Sequence, residues 1–119
     1  MQVFNHGDMK GGWFVGNFEP CVLKTESAEV GVKSYKAGET NAMHYHKHST
    51  EVTMIIYGEC RMGDCTLNAG DIMVVEPDEE SDFEAITDCT LVVYKSASVA
   101  GDKYNVVGDE GLEPPASSV

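Results

Sequence analysis

Three of the chain's four histidines, His44, His46 and His48, fall within five positions and are followed by Glu51. In a β-strand, residues two positions apart share a face, so His44 and His46 would point the same way. After a four-residue connection, Glu51 could return on the adjoining antiparallel strand and supply an oxygen. Two imidazoles and one carboxylate leave the remaining coordination positions of a divalent metal open to water, substrate or dioxygen. The pattern therefore predicts a metal site.

His48 shares its parity with His46 but falls in the predicted connection. It is either a solvated turn residue or an additional ligand or proton shuttle. Histidines near a strand end also line polar barrel mouths that hold no metal, so the pair alone leaves a metal-free alternative open.

The surrounding glycines make the spacing more specific. Gly38 and Gly58 extend the pattern to Gly-x5-His-x-His-x4-Glu-x6-Gly. It matches the first signature motif of the cupin superfamily at every position, and the chain resembles a small single-domain cupin, of the type-2 conserved barrel, over roughly residues 28–95. The resemblance implies a jelly-roll β-barrel. It also implies that His44, His46 and Glu51 are ligands on the inner wall, with Fe, Mn, Zn, Ni or Cu as the usual ion.

The second cupin motif is where the sequence departs from the family. Gly70 begins it, but the positions of its Pro, Gly and His are occupied by Glu76, Asp78 and Ser81. The fourth ligand of the family is thus replaced. If Ser81 faces inward, then by alternation Asp82 faces outward.

Three outcomes remain open for that position. The ion could be held by three protein groups and solvent, with Ser81 as a candidate additional ligand. A carboxylate of Glu79, Glu80 or Asp82 could serve as the fourth ligand instead, or metal binding could have been lost. We favour three protein ligands and solvent.

The rest of the chain alternates with period two, and we find no stretch of ten or more residues with a helical apolar period. Glycine and aspartate turns separate the short segments. We predict an all-β jelly-roll barrel of roughly ten short antiparallel strands with little or no helix. The predicted strands are 3–5, 21–25, 29–35, 42–47, 51–57, 59–62, 66–67, 71–76, 82–86, 89–95 and 104–107.

We predict one domain with three parts. Residues 1–27 supply N-terminal strands and a glycine-rich segment, 11–16, that packs across one barrel end. Residues 28–107 form the barrel, and the proline-containing, acidic residues 108–119 form a disordered tail.

Inward parity selects the pocket candidates. Thr53 and Tyr57 share the parity of Glu51, and Tyr35 could supply another wall. A cationic group inside would favour an anionic ligand, but we expect Lys33 and Arg61 at the surface.

Strand 51–57 is apolar on both faces. A half-exposed strand would alternate cleanly, so we expect a second subunit to cover the outer face, with sheet-on-sheet packing inside one chain as the alternative. We therefore predict a homodimer.

The formal charge of −12 argues against nucleic acid and anionic membranes as partners. No basic region precedes an apolar stretch near the N-terminus, and the cysteines show no CxxC pair. We expect a cytoplasmic protein that binds a small molecule.

These features predict a metal-binding cupin acting on a small polar metabolite, either a sugar derivative or an organic acid. If it is an enzyme, oxygenase, isomerase and lyase chemistry are the candidates. The alternatives are a non-catalytic binding or sensor barrel, and a metal-free epimerase-like barrel that would use a His46–Asp82 pair.

Overall fold

The computed structural model describes residues 1–106, so the predicted tail at 108–119 lies outside the described residues. Eleven strands and one short 3-10 helix, His6–Asp8, account for the regular structure of this part. The predicted all-β class with little helix is confirmed. No helix in residues 1–106 has the length and apolar character needed to cross a bilayer.

The strands are short and follow one another closely. They are β1 Trp13–Gly16, β2 Leu23–Lys24, β3 Ala28–Tyr35, β4 Thr40–Tyr45, β5 Thr50–Tyr57, β6 Glu59–Met62, β7 Cys65–Asn68, β8 Ile72–Val75, β9 Ser81–Ala85, β10 Cys89–Ser96 and β11 Tyr104–Asn105.

Two sheets form the barrel. The larger sheet has the order β2-β1-β3-β10-β5-β8, and the smaller sheet has the order β11-β4-β9-β6-β7. Every pair is antiparallel except β1 with β2, which is parallel. Successive strands alternate between the sheets at several points, which is the double-stranded winding of a jelly roll.

The interior of the barrel has an apolar part and a polar part. Phe83, Ile55 and Leu91 are almost fully buried in the apolar core, and the ring of Tyr35 packs 4.5 Å from that of Phe83. The polar part contains buried histidine, glutamate, lysine and serine side chains, which apolar burial alone does not explain. It lies where β4 ends and β5 begins.

The predicted strand at 3–5 is wrong. These residues precede the 3-10 helix His6–Asp8, whose N-cap is Asn5. In the glycine-rich segment 11–16, residues Trp13–Gly16 form β1, which pairs with β3 and extends the larger sheet.

Two rows of four apolar residues run across the outer face of the larger sheet. The residues within each row are paired in register. Residues Val32, Val92, Met54 and Ile72 form one row, and Val30, Tyr94, Val52 and Val74 form the next. Met54, Ile72, Val74 and Tyr94 are exposed. In this part of the chain, nothing covers the centre of that face.

Substitution of the two motif glycines, Gly38 and Gly58, should lower the free energy of unfolding by different amounts. Both have a positive φ, +91° at Gly38 and +85° at Gly58, but an added Cβ would meet nothing within 4 Å at Gly38 and would lie 2.1 Å from the Asp88 carbonyl oxygen at Gly58. Gly38→Ala should lower the free energy of unfolding by about 1–2 kcal/mol through the backbone conformation alone. Gly58→Ala should cost roughly 3 kcal/mol or more, because the backbone must also shift. Urea unfolding of both variants measures the difference, and equal losses would contradict this packing argument.

Candidate metal centre

The three residues predicted as ligands are buried inside the barrel. His44 lies in β4, His46 follows directly after β4, and Glu51 lies in β5. All three are buried, with exposed fractions of 3%, 3% and 1%. The expectation that Glu51 returns on the strand adjoining the histidines is wrong, because β4 belongs to the smaller sheet and β5 to the larger. The imidazoles and the carboxylate therefore approach one another across the barrel.

The side chains are close to one another at this crossing. The His46 Nε2 atom lies 3.3 Å from Oε1 of Glu51, and the His44 and His46 ring centroids are 5.4 Å apart with the planes at 78°. Two imidazoles and one carboxylate thus share one buried volume.

Backbone carbonyls hold both imidazoles by their Nδ1 atoms. His44 Nδ1 lies 2.8 Å from the carbonyl oxygen of Ala42, and His46 Nδ1 contacts the carbonyl oxygen of Asp102. A carbonyl only accepts hydrogen bonds, so each Nδ1 carries the proton and donates it. In the neutral imidazole this leaves a lone pair on Nε2, which is how metal-binding histidines are commonly oriented.

The electrostatics support this donor set. Burial, together with the nearby Lys103 charge, lowers the pKa of His44 to about 4, although its bond to Ala42 acts in the opposite direction. His44 is therefore neutral at physiological pH. Burial raises the pKa of Glu51, but a hydrogen bond from His46, in the form of the ring that carries a proton on Nε2, and the charge of Lys95 outweigh it, so the net shift is downward. A neutral imidazole and an ionised carboxylate are the forms that bind a divalent cation.

The donor types fit a metal, but the shell is not closed. Within residues 1–106, no group of three or more His, Cys, Asp or Glu side chains is arranged so that it could hold an ion as it stands. An ion would have to draw His44, His46 and Glu51 together. If His46 Nε2 carries no proton, it and Glu51 Oε1 are two acceptors facing each other, and a shared cation would remove that repulsion.

Asp102 supports the centre from a distant part of the chain. Its carboxylate accepts hydrogen bonds from the backbone amides of Lys47, His48 and Ser49 at 2.8, 3.1 and 3.0 Å, while its carbonyl accepts from His46. Burial opposes ionisation of this carboxyl, but the amide donors outweigh it and hold its pKa below the usual range. Sequence reasoning missed Asp102. The only signal was a Gly-Asp turn dipeptide, which says nothing about a contact with residues 46–49.

Ser81 occupies the interior position that the second motif predicts. It pairs with His44 between β4 and β9 and is 9% exposed, while Phe83 also faces inward. The alternative carboxylates do not reach the site. Glu79 and Glu80 are exposed, and Asp82 faces outward as expected.

Asp82 forms a bidentate pair with Arg61 at 2.9 and 3.1 Å, which holds the pKa of the Asp82 carboxyl low. Arg61 also lies near Glu84, on the outer face of the smaller sheet. The His46–Asp82 pair required by the metal-free alternative is therefore absent.

The other predicted site residues lie in different surroundings. His48 is exposed and lies in the connection, so it is apart from the three ligands. Thr53 is fully buried, and its Oγ1 has no hydrogen-bond partner among the described residues. Tyr35 packs in the core near Asn41, at the apolar end. Tyr57 is 64% exposed and does not line the interior, because the register of β5 with β10 shifts just before it.

The location expected for Lys33 is wrong. It is 5% exposed, and its ammonium donates to the Gly11 carbonyl oxygen at 2.5 Å. Lys33 occupies an inward-facing position of β3. The burial of Lys33 was not predicted, because β1, which covers it, was not predicted as a strand.

A cavity of about 510 Å³ opens beside the centre. It lies between residues 10–19 and the segment 95–103. Its walls carry the lysines Lys10, Lys95 and Lys103, the carboxylates of Glu19, Glu29 and Asp102, and the ring of Trp13. Asp102 therefore lines the cavity and also contacts His46 at Nδ1, while His44, His46 and Glu51 do not line the cavity themselves.

No protein-family model matches the sequence, and no curated protein matches it significantly. Solved structures do match. An uncharacterised conserved protein with a double-stranded β-helix domain from Klebsiella pneumoniae is 26% identical, with a TM-score of 0.61 over 67% of this chain and 71% of its own. A cupin-2 domain protein from Shewanella frigidimarina is 18% identical, with a TM-score of 0.55 over 63% and 76%. A recombinant oxalate oxidase in complex with glycolate is 21% identical, with a TM-score of 0.57 over 63% and 44%.

The winding of the two sheets and these similarities define the class of protein. The chain has the double-stranded β-helix fold of the Klebsiella protein, a fold that it also shares with the cupin-2 domain protein, and the predicted jelly-roll barrel is confirmed.

Asp102→Ala should destabilise the barrel. It removes the acceptor for three backbone amides, of which Ser49 is buried, and we expect a loss of about 2–3 kcal/mol in the free energy of unfolding. Urea unfolding measures it, with Asp64→Asn at an exposed turn as the control. An unchanged midpoint in Asp102→Ala would show that water replaces the carboxylate without cost.

Proposed function

We propose that this protein binds one divalent metal ion through His44, His46 and Glu51 and acts there on a small polar metabolite. The observation that carries the proposal is the orientation of the two buried imidazoles, each held by a carbonyl at Nδ1 so that Nε2 can bind a cation. The ionised, buried Glu51 supplies the negative charge. Fe, Mn, Zn and Ni all accept this mixed donor set.

The protein's own groups would divide the work between binding and orientation. A divalent ion in such a site polarises a carbonyl or acidifies a bound water molecule. Ser81 faces the interior beside His44 and contributes at most a hydroxyl, so three protein ligands leave positions for substrate. Thr53 Oγ1, with no partner among the described residues, is available to orient that substrate.

An organic acid is the favoured type of metabolite, with a sugar derivative as the alternative. The oxalate oxidase of similar fold was solved with glycolate, a small hydroxy acid. At that level of identity the similarity supports the fold alone, so the substrate is a proposal. Oxygenase, isomerase and lyase reactions remain the candidate chemistries. A non-catalytic binding or sensor barrel is the alternative function, and the replacement of the family's fourth ligand by Ser81 favours it.

His46→Ala should abolish metal binding, because it removes the imidazole that lies nearest Glu51. Protein purified without chelator should contain about one ion per chain by elemental analysis, and the variant close to none. His48→Ala is the matched control, since His48 is in the same motif but exposed.

Two outcomes would contradict the metal centre. Wild-type protein that takes up none of Fe, Mn, Zn or Ni would remove it altogether. Equal losses in the two variants would make His48 a ligand. Metal uptake without turnover on a panel of organic acids and sugar derivatives would favour the sensor.

We further propose that the chain forms a homodimer through the outer face of the larger sheet. The two apolar rows cross β3, β10, β5 and β8 without a charged residue. Exposed apolar area of this extent on a highly charged chain is typical of an interface. A second copy presents an identical, self-complementary face, which a twofold dimer requires.

Met54→Asp should yield a monomer, because it introduces a charge into the middle of this face. Light scattering coupled to size exclusion measures the mass. Ile86→Asp is the control, because Ile86 is similarly exposed, at 44% against 37%, but lies outside the rows. A wild-type mass equal to one chain would overturn the dimer.

The four cysteines are free, and Cys60 and Cys89 are buried. Burial raises the pKa of the Cys60 thiol to about 11, so it is unreactive. Free thiols are typical of a reducing compartment, and we propose the cytoplasm as the protein's location.

A further inference from the structure

Three lysines converge beside the candidate metal centre. Lys33 and Lys95 occupy inward positions of β3 and β10, and Lys103 follows the loop that also supplies Asp102. We refer to Lys33, Lys95 and Lys103 as the lysine cluster. In a chain with eight basic and twenty acidic residues, three cations in one buried region call for an explanation.

The ring of Trp13 joins the cluster. The Nζ atoms of Lys95 and Lys33 lie 5.0 and 5.3 Å from the ring centroid of Trp13. Lys95 also lines the cavity. The Lys103 Nζ atom is buried and has no hydrogen-bond partner among the described residues. A buried ammonium without an acceptor costs stability.

The neighbouring carboxylates are engaged elsewhere. Glu51 lies against His46, Glu29 accepts from the Ser98 hydroxyl at 2.7 Å, and Asp102 accepts from three backbone amides. Within residues 1–106, no carboxylate oxygen lies within 4 Å of any ammonium of the lysine cluster. Lys95 stands opposite Glu29 and Glu51 in the sheet, so its charge is partly compensated. Lys103 has neither a close ion pair nor a hydrogen-bond acceptor among the described residues.

Burial and mutual repulsion act on the same groups. Burial, followed by the charges of Lys103 and Lys95, lowers the pKa of Lys33 to about 8. Burial and the charge of Lys95 lower the pKa of Lys103 to about 8 as well. A bound anion would relieve both effects by supplying the missing acceptor and counter-charge.

We propose that the cavity binds the anionic group, a carboxylate or a phosphate, of a small ligand, with Lys95 and Lys103 as its donors and Trp13 as its wall. Lys33 lies beneath and adds its charge. The cavity of about 510 Å³ is large enough for a small metabolite, and Asp102 lies between it and His46. This inference rests on the proposed function only where it identifies the ligand as substrate; anion binding needs no metal.

Trp13 makes the test direct, because it is the only tryptophan in the chain. Metal-free full-length protein is titrated at constant ionic strength with inorganic phosphate, with malonate and with neutral glycerol, and Trp13 emission is recorded. We expect saturable changes with phosphate, malonate or both, and none with glycerol. The stronger of the two anions identifies the anionic group.

Lys95→Gln and Lys103→Gln should each raise the dissociation constant about tenfold or more, because each loses a charged donor. Lys36→Gln is the matched control: it makes the same charge change at an exposed position away from the cavity and should change affinity less than about twofold. Because titrations use metal-free protein, failure of the metal centre does not affect them.

The unfolding temperature shows whether the variants are folded and whether an anion stabilises them. Without anion, Lys103→Met should unfold at the same temperature as wild type or higher, because it removes a buried ammonium with no partner. With a saturating anion, wild type should gain stability and Lys103→Met should not. The proposal is overturned if neither anion changes Trp13 emission, if the lysine variants bind as well as Lys36→Gln, or if Lys103→Met is less stable without anion.

Discussion

The hydrogen bonds of Asp102 hold together the part of the barrel on which the centre depends. Between His46 and Thr50 the chain leaves the smaller sheet and enters the larger one, and its backbone amides have no strand partner there. The Asp102 carboxylate accepts from three of these amides, and its carbonyl fixes the His46 ring. One residue therefore satisfies the backbone of the crossover and orients a candidate ligand.

The polar side chains of the interior are linked to one another and to the backbone. Carbonyls hold the imidazoles, His46 lies against Glu51, and burial keeps His44 neutral. The core of Phe83, Ile55 and Leu91 closes the apolar part and supplies the apolar contacts that balance the cost of burying these groups. The described residues leave Lys103 without an acceptor.

The sequence predicted most of the fold, because strands with period-two alternation and glycine turns are local signals. The inward faces of β5 and β9 followed from alternation. The spacing of His44, His46 and Glu51 predicted buried, neighbouring side chains but not that they come from different sheets. What could not be predicted depended on contacts distant in sequence. Asp102 acts on residues more than fifty positions away, and Lys33 is buried only because β1 pairs with β3. Tyr57 followed the parity rule, but the irregular register near its strand end brought it to the surface.

The crossing of β4 and β5 into different sheets has a consequence for how the protein assembles. His44 and Glu51 are only seven positions apart, yet a partly folded chain with one sheet formed would not bring them together. Only the completed barrel presents the donor set, so a cation would bind the native state in preference to partly folded forms. By mass action such an ion would slow the loss of the barrel and couple its lifetime to the supply of metal.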